Sequence, residues 1–132
     1  LINKKSGVAG LSGVSSDMRE IEAAVAAGNK QAIMTLDVYN YRIKKYIGAY
    51  AAAMGGVDAI LFTGGIGENA WLQRQAICRG LEFLGAEIDE KVNEAMAGKD
   101  GIISKADSKV KILSVTTDEE LVIAQDTYAI VK

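Results

Sequence analysis

The sequence predicts an α/β fold in which helices pack on a small, mostly parallel sheet. Two short apolar runs carry the strands, one over residues 57–62 and one over residues 110–115. The first has no polar alternation beyond Asp58, which suits a strand buried on both faces, as in a parallel sheet with helices either side. A helical stretch lies between the two runs, so a right-handed βαβ crossover is the expected connection.

The elements follow in order. Gly7, Gly10 and Gly13, with Ser6, Ser12, Ser15 and Ser16 among them, predict a loop. A helix is expected over residues 17–27, since Asp17 and Glu20 have capping-box spacing and Gly28-Asn29 is a stop signal. The longest helix is expected over residues 30–54, with Ile33, Leu36, Tyr39, Ile43, Tyr46, Ile47 and Tyr50 recurring at helical spacing before Gly55-Gly56. After the first strand, residues 63–69 read as a Gly-rich turn, and residues 68–79 as a helix ending at Gly80. Residues 81–88 are ambiguous between strand and loop, residues 89–97 predict a short helix, and residues 101–104 an edge strand. After the second strand, Thr117 and Glu120 form an S/T-x-x-E capping box that opens a last helix running to about Ala129. Two or three strands are few for so many helices, so further strands are expected upstream of Leu1. The start at Leu1, in mid-pattern, likewise predicts a piece of a longer protein.

Composition narrows the function. The chain has 132 residues, 49% hydrophobic and 24% charged, with a net charge of -2. Lys and Arg are spread along it, leaving no electrostatic footprint for nucleic acid or an anionic membrane, and no run is long enough to span a bilayer. A single cysteine, Cys78, excludes an internal disulfide and makes a reducing, cytoplasmic setting the default; within an amphipathic helix it reads as buried and inert. There is no histidine, so a His-based acid/base step or His-ligated metal would have to be completed elsewhere.

Three segments carry candidate chemistry. In Phe62-Thr63-Gly64-Gly65-Ile66-Gly67-Glu68-Asn69 a buried strand runs into glycines and then a helix start. Ligands in open α/β sheets bind beyond the carboxyl ends of strands, where glycines let backbone approach a ligand and helix N-terminal amides favour phosphate. A side chain at Gly67 would be expected to push into that space. The segment is neither a Walker A loop nor G-x-G-x-x-G, and a tight turn needing glycine for geometry explains the spacing equally well. In Ser15-Ser16-Asp17-Met18-Arg19, the acid could hold a ribose hydroxyl and Arg19 a phosphate or base; an N-cap followed by a surface arginine is the plainer reading. In Asp118-Glu119-Glu120, beyond the second strand, a carboxylate could help hold Mg²⁺; helix capping explains Glu120 well and Glu119 less well.

Taken together these segments resemble the acetate kinase family. The likeness runs in order through Asn3-Lys4-Lys5-Ser6-Gly7, Ser12-Gly13-Val14-Ser15-Ser16-Asp17-Met18-Arg19, Tyr41-Arg42-Ile43-Lys44-Lys45-Tyr46-Ile47-Gly48-Ala49-Tyr50, Phe62-Thr63-Gly64-Gly65-Ile66-Gly67-Glu68-Asn69, and Ser108-Lys109-Val110 followed by Thr117-Asp118-Glu119-Glu120-Leu121. It implies a ribonuclease H-like fold of the actin, Hsc70 and sugar kinase superfamily. Residues 1–132 would then be the C-terminal nucleotide-binding portion, without the N-terminal domain. The implied activity is reversible phosphoryl transfer from ATP to acetate, giving acetyl phosphate and ADP, with Mg²⁺ as cofactor.

By the same resemblance Asp17, Met18 and Arg19 contact the nucleotide, Gly65, Ile66, Gly67, Glu68 and Asn69 form its adenosine pocket, and Glu119 is the metal carboxylate. The family usually has Asn where Asp118 stands, which keeps Asp118 open as the ligand. Its acetate pocket, catalytic Asp, transition-state arginines and active-site His lie upstream, so no catalytic residue is assigned to this chain, and the chain alone is expected to be inactive. The family's dimer contact lies in this domain, making the Tyr-rich helix a candidate homodimer interface. Two other readings stay open: a propionate or butyrate kinase, and a non-catalytic nucleotide-binding or interaction module.

Overall fold

A computed structural model describes residues 5–132. Asn3 and Lys4, the start of the family resemblance, lie outside the described residues. The first glycine- and serine-rich stretch is a short helix, α1 (Gly7–Ser12), where the sequence suggested a loop. Its glycines are tolerated because α1 packs on the long helix α3 (Lys30–Met54). Between them lies α2 (Met18–Ala26), capped by the Asp17 side chain. Asn29 is the N-cap of α3: its Oδ1 accepts the N–H groups of Gln31 and Ala32 at 2.9 and 3.1 Å. At the other end Gly55, in the left-handed region, closes the helix.

The buried stripe of α3 matches the expected one in part: Leu36 is buried, and Tyr39, Ile43 and Ile47 pack against the cores. Ala32, Thr35, Leu36, Asn40 and Ala51 are buried, whereas Ile33, Tyr46 and Tyr50 are exposed. Small residues join that inward face, and of the expected stripe Ile33, Tyr46 and Tyr50 stay outside it.

The sheet has the order β1-β3-β2. Strands β1 (Ala59–Phe62) and β3 (Lys111–Ser114) are parallel, with Ile60 opposite Ile112 and Phe62 opposite Ser114. The edge strand β2 (Gly101–Ile102) is antiparallel to β3. Ile60, Phe62, Ile77, Cys78, Leu81, Ile103 and Ile112 form the core beneath one face, with Ile43 and Ile47 of α3 packed against them. Full burial of a side chain such as Ile112, with no exposed surface, contributes roughly 1.5–3 kcal/mol. The expectation of a first strand covered on both faces is corrected: along β1, Leu61 is 59% exposed while Ile60 and Phe62 are buried. Helices α3 and α5 (Trp71–Cys78) cover one face only.

The segment after β1 also departs from expectation. Residues 63–69 are not a turn but contain a helix, α4 (Gly64–Asn69), and a break at Ala70 separates it from α5. Residues 81–88 hold a 3-10 turn (Glu82–Leu84) and single bridges from Ala86 to Val110 and from Ile88 to Ser104. Helix α6 (Glu90–Ala95) begins at an Asp89 cap. The last helix, α7 (Glu119–Val131), has every residue exposed, including Leu121, Ile123 and Ile130. Among the described residues no helix is long and apolar enough to cross a membrane.

Candidate functional site

The fold brings two of the three candidate segments together. A cleft of about 560 Å³ has Asp17, Met18, Arg19 and Glu22 on one side and Gly65, Ile66 and Asn69 on the other. Met18 is buried beside Ile21, Ala32 and Leu36, and Ile66 packs against the same cluster. That apolar contact holds α4 against the start of α2. Gly65 and Ile66 also line an adjoining cleft of about 480 Å³, bordered by Tyr39, Ile43 and Thr63. A further depression of about 430 Å³ around Arg79, Glu82, Glu87 and Lys105 shares none of these segments.

Asp17 has two tasks. Its Oδ1 accepts the Arg19 N–H at 2.9 Å, capping α2, and the two carboxylate oxygens accept Arg19 Nε and Nη2 at 3.1 and 2.6 Å. These hydrogen bonds and the adjacent positive charge hold the Asp17 carboxyl at about 2, well below the usual 3.8. The N-cap reading of Asp17 is therefore correct, and the Arg19 guanidinium stands exposed at the cleft edge.

The glycines of α4 differ in purpose. Gly64 has φ of +72°, a conformation that side chains disfavour. A Cβ on Gly65 would meet nothing within 4 Å, so this residue leaves the cleft open. A Cβ on Gly67 would lie 3.0 Å from the Phe62 carbonyl carbon. Gly67 is thus needed for the approach of α4 to the end of β1. Its φ is not positive, and a side chain there would first meet the backbone at the end of β1, beside the adjoining cleft that Gly67 also lines.

The residue that sequence reading missed is Arg74. It is 1% exposed and has no carboxylate partner among the described residues. Its Nη1 donates to the Gly67 and Glu68 carbonyls at 2.8 and 2.6 Å and to Ser114 Oγ at 3.1 Å. Nε and Nη2 donate to Asn93 Oδ1 and O at 2.7 and 2.8 Å. Burial pulls the guanidinium below its ordinary range, but five hydrogen bonds to oxygen compensate a group that stays charged in proteins. Arg74 ends α4 by satisfying carbonyls that a six-residue helix leaves unpaired. Asn93 Nδ2 in turn donates to the Trp71 carbonyl at 2.9 Å. A polar residue four positions beyond a helix break carries no sequence signal of burial.

Glu68 turns away from the cleft. Its Oε1 accepts Gly64 N–H at 3.1 Å and, from the loop after β3, Thr117 N–H and Oγ at 2.9 and 3.0 Å. The Thr117–Glu120 capping box is accordingly corrected: Thr117 serves Glu68, and Asp118 is the cap of α7, accepting Leu121 N–H at 2.8 Å. Glu119 opens α7 with an exposed carboxylate. Among the described residues no three His, Cys, Asp or Glu side chains form a complete metal cage. Cys78 is buried, and burial pushes its thiol up to about 12, as an inert core residue requires.

The model of the acetokinase family matches residues 1–125. The chain belongs to the acetokinase family. It is 67% identical over 130 residues to an acetate kinase of Parabacteroides distasonis and 60% identical over 132 residues to one of Porphyromonas gingivalis, covering 98% and 100% of this chain. It spans 32% and 33% of those relatives' lengths, about a third. Its structure superposes on the crystal structure of Porphyromonas gingivalis acetate kinase with a TM-score of 0.90 at 59% identity, covering 100% of this chain and 33% of that one. A propionate kinase from Francisella tularensis gives 0.82 at 36% identity, covering 94% and 31%. The α/β fold expected from the sequence is therefore that of an acetokinase segment.

Proposed function

We propose that residues 1–132 are the C-terminal nucleotide-binding portion of an acetate kinase, a cytoplasmic enzyme that reversibly transfers a phosphoryl group from ATP to acetate. The observation that carries this reading is the meeting of Ser16, Asp17, Met18 and Arg19 with Gly65, Ile66 and Asn69 around one cleft, in a chain of this family. Asp17, Met18 and Arg19 would form one wall and Gly65, Ile66 and Asn69 the other, with Gly67 lining the adjoining cleft and Glu68 bracing the second wall from behind. The exposed apolar surface of α7 and the open face of the sheet support a larger protein around the chain, since so short a helix is marginal without packing.

Mg²⁺ fits as a partial site. The ion accepts one or two carboxylates together with substrate phosphates and water, so a complete protein cage is unnecessary. Asp118 is occupied as a helix cap, which favours Glu119 as the carboxylate that faces it. When bound, the ion would offset charge on the phosphates. Homodimerisation through this domain is supported by the outer side of α3, where Tyr46 and Tyr50 stack and remain exposed.

Steady-state turnover of acetate, propionate and butyrate by the full-length protein tests the reading. Highest kcat/KM for acetate is expected, and preference for a longer acid would replace it with a propionate or butyrate kinase. Absence of ATP-dependent transfer to all three would leave only a binding module. The 132-residue chain alone should form no acetyl phosphate.

A further inference from the structure

We propose that Glu68 is a positioning residue that couples the nucleotide cleft to the loop bearing Asp118 and Glu119. The inference rests on the nucleotide reading above. Strands β1 and β3 are parallel neighbours ending at Phe62 and Ser114, so the loops that follow them emerge side by side. One carboxylate oxygen, Glu68 Oε1, accepts from Gly64 of the first loop and twice from Thr117 of the second. The Glu68 backbone cannot yield easily: its carbonyl accepts Arg74 Nη1 at 2.6 Å and Gly98 N–H at 2.9 Å.

The receiving loop is equally tied. Val115 N–H donates to the Phe62 carbonyl at 2.9 Å and Thr116 N–H to Asp100 Oδ1 at 2.6 Å. Three successive amides thus fix the path of the chain up to Asp118, the third of them through Glu68. Glu68 does not line the cleft formed with Asp17, whereas Gly65, Ile66 and Asn69 on the same short helix do. A ligand that shifts α4 must therefore move Thr117, and with it the acidic pair. By linkage, a divalent cation held at Glu119 must then alter nucleotide affinity through the same strut.

The geometry separates a strut from a direct ligand. A glutamine amide oxygen can accept the same three hydrogen bonds, but it lacks the charge that a metal or phosphate partner would sense. The experiment measures the Kd of ADP for the full-length protein with and without Mg²⁺, using wild type, Glu68→Gln, Glu68→Ala, Thr117→Ser and Thr117→Val. Mg²⁺ should tighten ADP binding in wild type, Glu68→Gln and Thr117→Ser to within about twofold of one another, and this enhancement should fall about five- to tenfold in Glu68→Ala. The KM for acetate should stay within about twofold throughout, because the partners of Glu68 all belong to the nucleotide side and the acceptor groups are expected upstream of this chain.

If Glu68→Gln is as impaired as Glu68→Ala, the carboxylate acts by its charge and the strut is wrong. Wild-type enhancement in Glu68→Ala overturns it as well. Should Glu68→Ala not fold, Thr117→Val decides: a partial loss supports the strut, and unchanged enhancement overturns it. A wild-type protein that fails to bind ADP at all brings down the nucleotide reading itself, and the strut with it.

Discussion

Replacing Arg74 by Met in the full-length protein should destabilise it by about 2–4 kcal/mol, because buried neutral acceptors lose their donor. Met keeps the aliphatic stem and removes all five hydrogen bonds. Nη1 has two protons for three acceptors, so its bonds are shared and the losses do not simply add. Glu68 O keeps the Gly98 N–H, while Gly67 O, Asn93 O and Asn93 Oδ1 lose a buried donor. At about 1–3 kcal/mol per stranded group the gross loss exceeds the net, because the variant no longer desolvates a guanidinium. Urea unfolding followed by circular dichroism measures the difference. Arg74→Lys should fall between, since an ammonium cannot reproduce the planar fork. A change below about 1 kcal/mol for Arg74→Met would mean that solvent replaces the guanidinium and that Arg74 does not hold α4.

Three further outcomes follow from the same geometry. Gly67→Ala should cost about 1–3 kcal/mol by forcing α4 off the end of β1, seen as a lower urea midpoint with little change in the spectrum of the folded state. Asp17, with its folded value near 2 against an ordinary 3.8, contributes stability that is fully present above pH 3.8 and lost as pH falls towards 2; the difference in urea midpoint between wild type and Asp17→Asn should be constant from neutral pH to about 4 and shrink below it. Asp118→Ala should lower stability by about 1 kcal/mol through loss of the cap, whereas Glu119→Ala should leave stability unchanged and raise the Mg²⁺ requirement for turnover.

The long helix and both main strands were legible in the sequence because local signals agree with the fold: Asn29 and Gly55 bound α3 at the residues expected, and apolar runs mark β1 and β3. Helix α4 was not legible, since a segment with three glycines has poor helix propensity. It is held by Arg74 at its end and by Glu68, which folds back on Gly64 within the helix and reaches out to Thr117. The capping box at Thr117 failed for a related reason. Its spacing fits, yet a carboxylate 49 residues earlier in the chain claims both Thr117 donors, and Asp118 takes over the cap. Asp17, Met18 and Arg19 were singled out by the family resemblance, whereas pattern alone favoured a helix cap; their meeting with Gly65, Ile66 and Asn69 depends on Met18 and Ile66 sharing one apolar cluster.

The most direct test of a nucleotide seat between α2 and α4 is ADP binding to Gly65→Leu in the full-length protein, followed with a fluorescent ADP analogue. Gly65 is exposed and has no positive φ, and a Cβ there meets nothing within 4 Å, so the backbone can carry a side chain at this position, and the urea midpoint checks that the variant folds. Leucine would instead occupy the cleft between Asn69 and Asp17. A fall in ADP affinity of at least about tenfold, or 1.4 kcal/mol, at an unchanged urea midpoint is the predicted result. Wild-type affinity in the folded variant would contradict the account and place the nucleotide elsewhere.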